Sequence, residues 1–69
     1  MTINEVVAKH RDFFMKIPGI TGIGVGREGE KEVIVVLVIE SRRQLLRRIP
    51  GELEGFPVVV RESGAIEAL

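Results

Sequence analysis

Gly24, Gly26 and Gly29 stand in the stretch GIGVGREGEKE (residues 22–32) with the G-x-G-x-x-G spacing that cradles a dinucleotide pyrophosphate. That chemistry needs the glycines to close a strand and open a helix, whose first N–H groups then hold the phosphate. Here the charged and β-branched residues 30–40 follow, and nothing after Gly29 caps a helix. The spacing therefore predicts no cofactor. Gly22, Gly24 and Gly26 recur at every second residue and leave one face of a strand smooth, while Gly29 serves a turn.

Gly19-Ile20-Thr21-Gly22 repeats the G-x-x-G with which KH domains clamp a nucleic-acid backbone, but it joins a helix to a strand and carries no positive charge. It reads as helix termination. Arg42, Arg43, Arg47 and Arg48 form the one basic cluster, RRQLLRR. Phosphate contacts from these four would give salt-dependent nucleic-acid binding, and that is the second functional reading. Against it, Glu40, Glu52 and Glu54 flank the cluster and no aromatic side chain is interleaved for base stacking. A solvated helix face with ion pairs is the plainer account.

His10 falls on the apolar stripe of a first helix, where a partly buried, hydrogen-bonded imidazole is the ordinary arrangement. Asp12, two positions on, faces elsewhere. With no cysteine, and with Ser41 and Ser63 better used as cap and turn, no catalytic residue is assigned and an enzyme is not expected. Glu28, Glu30 and Glu32 could gather around a metal, yet a charged hairpin tip explains them and also discourages edge-to-edge aggregation, so no metal site is assigned.

The elements that would position these residues fit one domain spanning 1–69, near the lower size limit for independent folding. One histidine and no cysteine leave neither zinc nor disulfide to staple it. Ten basic and ten acidic residues cancel, so no overall field draws the chain to nucleic acid or anionic lipid. The apolar run Val33 to Ile39 is too short to span a bilayer, and MTINEVVAKH lacks a signal-peptide layout; the expectation is a cytoplasmic protein without membrane contact.

Thr2-Ile3-Asn4-Glu5 has capping-box form, and Ile3, Val6, Val7, His10, Phe13, Phe14 and Ile17 make one helical stripe that ends at Pro18-Gly19. Ile20 to Arg27 alternates, with Thr21, Ile23, Val25 and Arg27 on one side and Ile20 with the glycines on the other. Glu32 to Glu40 is a β-branched strand, joined to the first by the turn Glu28-Gly29-Glu30. Ser41 is expected to cap a second helix with Gln44 at its third position, Leu45, Leu46 and Ile49 facing inward, and Pro50-Gly51 ending it. Phe56 to Arg61 is a third strand, which Pro57 makes late-starting or peripheral. Helix-Ile-Pro-Gly-strand occurs twice, at 17–25 and 49–60, as shared punctuation.

The predicted fold is α+β, ordered αββαβ, with a three-stranded mixed sheet and two helices on one face. The aliphatic residues of the second and third strands cover both faces, so whichever face the helices take, an apolar patch is left. Each large aliphatic side chain left in water forgoes ~1.5–3 kcal/mol. Candidate interface residues are Val33, Ile34, Val35, Val36, Leu37, Val38, Ile39, Val58 and Val59. A homodimer stacked sheet on sheet is the expected solution; the alternative cover is the chain's own last residues, through Ile66 and Leu69.

IPGITGIGVG, the strand VIVVLVIE and IPGELEGFPVVVRESGAIEAL together resemble a poorly characterised segment found ahead of trypsin-like serine protease domains in some bacterial proteins. The resemblance runs from Ile17 to Leu69 on glycine and aliphatic signals. It implies a small non-catalytic module, because in that family the protease's catalytic residues belong to a following domain and none maps to a position of this sequence.

Overall fold

The computed structural model describes residues 1–62. It is an α+β fold: α1 (Ile3–Met15), β1 (Ile20–Glu28), β2 (Lys31–Val38), α2 (Arg43–Leu46), β3 (Glu52–Leu53) and β4 (Phe56–Glu62). The sheet is mixed, in the order β1-β2-β4-β3, with β1 antiparallel to β2, β2 parallel to β4, and β3 antiparallel to β4. It thus has four strands where three are read from the sequence. The added strand β3 has two residues, too few for alternation to register.

α1 begins as its capping box requires. Glu5 N–H donates to Thr2 Oγ1 at 3.2 Å and Thr2 N–H donates to Glu5 Oε1 at 2.8 Å, so each residue satisfies the other's orphan donor. Its inner face buries Ile3, Val6, Val7 and Phe14. Phe13, expected on that stripe, stands on its flank, 60% exposed, in a T-shaped pair with Phe14 whose ring centroids are 5.3 Å apart.

Turn chemistry sets the registers. Glu28 and Lys31 face each other across the β1–β2 hairpin, and Gly29 supplies the one positive φ of its two-residue loop (+64°), as in a type II′ turn. The β3–β4 loop has positive φ at both central residues, Glu54 (+52°) and Gly55 (+89°), the type I′ pattern. Pro57 bears on where pairing starts, since the parallel ladder between β2 and β4 begins one residue later, at Ile34 opposite Val58.

β1 departs from simple alternation. Ile20 lies opposite Val38 and Gly22 opposite Leu37, so Thr21 is an extra residue and the strand bulges there. The bulge turns Ile20 to the same side as Ile23, and both are buried in the core. Ile34, Val36 and Val38 of β2 are fully buried beside them, with Val58 and Val60 of β4 packed alongside.

α2 is one turn long. Its N-cap is Arg42, with no side-chain cap; Ser41 instead donates its backbone N–H to Glu62 Oε2 at 2.7 Å, fastening the loop to the end of β4. An uncapped turn has little to extend it, and the chain tightens through Arg48 N–H to Leu45 O and Ile49 N–H to Leu46 O before Pro50. Only Leu45 of the expected inward set is buried; Ile49 packs partly against the core and Leu46 is exposed.

Candidate functional site

The two faces of the sheet are now distinguishable. Ile34, Val36 and Val38 are core on the α1 side and Val58 is partly buried against them, so these four leave the set of candidates for the opposite face. Ile39 lies one residue past the end of β2 and is 55% exposed. The opposite face carries Val33, Val35 and Leu37 of β2, with Val59 of β4 directly beside Val35. Val35, Leu37 and Val59 are half-buried there, while Val33 is closed off from solvent at 1% exposure.

Gly22, Gly24 and Gly26 pair with Leu37, Val35 and Val33 and form a lane without side chains along the same face. A Cβ at Gly26 would stand 2.6 Å from Val35 Cγ2, so valine methyls lean over part of that lane; at Gly24 a Cβ would meet nothing within 4 Å. The G-x-G-x-x-G spacing therefore lies inside a hairpin, with β2 and not a helix following Gly29. Gly19 and Gly22 flank the start of β1, after α1 has ended.

The arginines separate. Arg42 and Arg48 line a groove of about 490 Å³ together with Gln44, Glu40, Pro18, Gly19, Ile39 and Leu45. Arg42 Nε donates to Glu40 Oε2 at 2.9 Å. Arg43 and Arg47 are exposed and do not line it. Its floor is tied by Ile39 N–H to Gly19 O at 2.9 Å, and Leu45 rests directly on the bare Cα of Gly19.

His10 is partly buried as expected, but its Nε2 is shut from solvent without a hydrogen bond among the described residues. The nearest acidic atom, Glu54 Oε2, lies 3.6 Å away and is held by Lys9 Nζ at 3.0 Å. The Lys9 hydrogen bond, then its charge, keeps the Glu54 carboxyl below its ordinary range, with smaller help from His10 and against a modest opposing effect of burial. Glu54 is invisible as a partner of Lys9 and His10 in the sequence, because 45 positions separate it from Lys9. Asp12 is elsewhere, on a shallow cleft between α1 and β1 with Asn4, Arg11 and Val25.

At the hairpin tip Glu28 lies opposite Lys31 and Glu32 opposite Arg27, so the acidic residues alternate with bases. Among the described residues no group of three or more metal-ligating side chains comes together, and no helix is long and apolar enough to cross a membrane. Ser63, Ile66 and Leu69 lie outside the described residues. Compared with family models, curated proteins and solved structures, the chain matches none.

Proposed function

We propose that this chain is a non-catalytic assembly module that pairs with a second copy of itself, sheet against sheet, in the cytoplasm. One observation carries the reading: Val35, Leu37 and Val59 share the face opposite α1, and no described helix lies over them. Covering three half-exposed aliphatic side chains removes apolar surface worth ~25 cal/mol per Å². A domain of this size, whose own core supplies only ~3–5 kcal/mol of net stability, gains much from that cover.

The glycine lane supports the same reading at Gly24, where nothing stands within 4 Å of an added Cβ and a partner backbone can approach closely. Two sheets packed face to face at the usual ~10 Å separation would set these valines against one another. The resemblance to a segment preceding serine protease domains agrees with a module that binds and does not catalyse.

Light scattering coupled to size-exclusion chromatography tests the proposal, with Leu37→Glu as the variant. A dimer that Leu37→Glu converts to a folded monomer supports it. A wild-type chain that is monomeric at ~100 µM, well above the micromolar dissociation constants of ordinary interfaces, overturns it.

A further inference from the structure

We propose that the groove between the α1–β1 turn and α2 binds a small aliphatic monocarboxylate. The groove, at about 490 Å³, lies within the ~300–1,000 Å³ of ligand sites. One wall is aliphatic, made by Pro18, Ile39 and Leu45, and Ile39 is 55% exposed where nothing in the packing of the domain requires an isoleucine. The rim is polar and cationic, with Arg42, Arg48 and Gln44.

Charge sets the class of ligand. Among the described residues, two arginines less Glu40 leave the groove with a single net positive charge, which suits one negative group and not a polyphosphate. Glu40 engages Arg42 through Nε, which orients the guanidinium and leaves its terminal N–H groups for a ligand, while Arg48 has no acidic partner among the described residues. A guanidinium fork matches a planar carboxylate in two parallel hydrogen bonds. Among the described residues no aromatic side chain lines the groove to stack a nucleobase or an aromatic acid. A branched or linear alkyl chain fits Ile39 and Leu45 by the apolar surface it would cover.

Octanoate, followed by ¹H–¹⁵N NMR on the full chain, is the probe. The groove is open, so the expected affinity is weak, with a dissociation constant on the order of 1 mM. Saturable shifts centred on the amides of Gly19, Ile39, Gln44 and Leu45 are expected. Octanol and the variant Arg48→Gln should each bind about tenfold more weakly, and added salt should weaken octanoate binding to the wild type. Ile39→Ser, at an exposed position, should weaken it without disturbing the remaining spectrum.

Shifts that never saturate, that scatter over the surface, or that centre on Val35, Leu37 and Val59 would overturn the proposal. Octanol binding as tightly as octanoate would do the same. If Arg48→Gln perturbs the fold, the salt dependence of the wild-type titration decides, and a salt-independent affinity counts against the site.

Discussion

Lys9 Nζ in α1 reaches Glu54 Oε2 in the β3–β4 turn at 3.0 Å, joining two residues 45 positions apart. The contact ties the helix to the edge of the sheet, at a residue whose backbone is itself unusual: Glu54 has φ +52°, a left-handed conformation that favours glycine and asparagine. Because the folded carboxyl is held below its ordinary value of 4.5, its contribution to stability is complete above that value and is lost as pH falls through the lowered one. Glu54→Gln should therefore flatten the acid limb of a stability-against-pH curve, where the pH falls from the ordinary carboxylate range through the lowered one, and high salt should shrink the difference. Equal slopes in the two proteins would show that the pair does not persist in solution.

The same residue separates ion pairing from backbone strain. In a Lys9→Ala background the carboxylate has lost its main partner, and Glu54→Asn then places an asparagine before Gly55, the sequence most favoured in type I′ turns. Thermal unfolding should rise by a few degrees in that background and change less in the wild type, where the gain in the turn is offset by the lost contact. A fall in both backgrounds would mean that Glu54 is comfortable at +52°.

Adjacent phenylalanines are not equivalent. Phe14 is 1% exposed in the core, whereas Phe13 keeps 60% of its surface in solvent and forms a T-shaped ring pair with Phe14. Phe14→Ala should cost ~3–5 kcal/mol, as much as a domain of this size possesses, and leave the chain largely unfolded at 25 °C. Phe13→Ala should cost ~0.5–1.5 kcal/mol, the worth of an aromatic pair. Urea unfolding of the two variants checks the difference, and similar midpoints would refute the assignment of faces.

What could be read from the sequence, and what could not, follows from the range of each interaction. The Thr2–Glu5 box, the Gly29 turn and the β-branched run of β2 are local, and each is visible within a few residues. The bulge at Thr21 is not, because Ile20-Thr21-Gly22-Ile23 looks like regular alternation until the pairing with Val38 and Leu37 is known. Ser41 has the chemistry of a cap, but its backbone N–H is taken by Glu62, 21 positions away. The sequence leaves open which side of β2 α1 covers for the same reason: both faces are aliphatic, and only packing distinguishes Ile34, Val36 and Val38 from Val33, Val35 and Leu37. The groove combines the α1–β1 turn, the end of β2 and α2, so no single stretch announces it.

Neighbouring glycines of β1 should respond oppositely to one methyl group. At Gly26 an added Cβ would sit 2.6 Å from Val35 Cγ2, and a β-branched side chain in a paired strand has few other rotamers to take. Gly26→Ala should therefore destabilise by ~1–3 kcal/mol, the usual effect of overpacking. At Gly24 an added Cβ meets nothing within 4 Å and φ is not positive, so Gly24→Ala should be neutral or stabilise by up to ~1 kcal/mol by restricting the unfolded chain. Chemical denaturation gives both values. Dimerisation read on the same samples adds a second measure, since a methyl at Gly24 projects into the lane that a partner sheet would approach. Unchanged folding with weakened self-association at Gly24→Ala would place the partner over the glycine lane, and unchanged association would place it over Val35, Leu37 and Val59 alone.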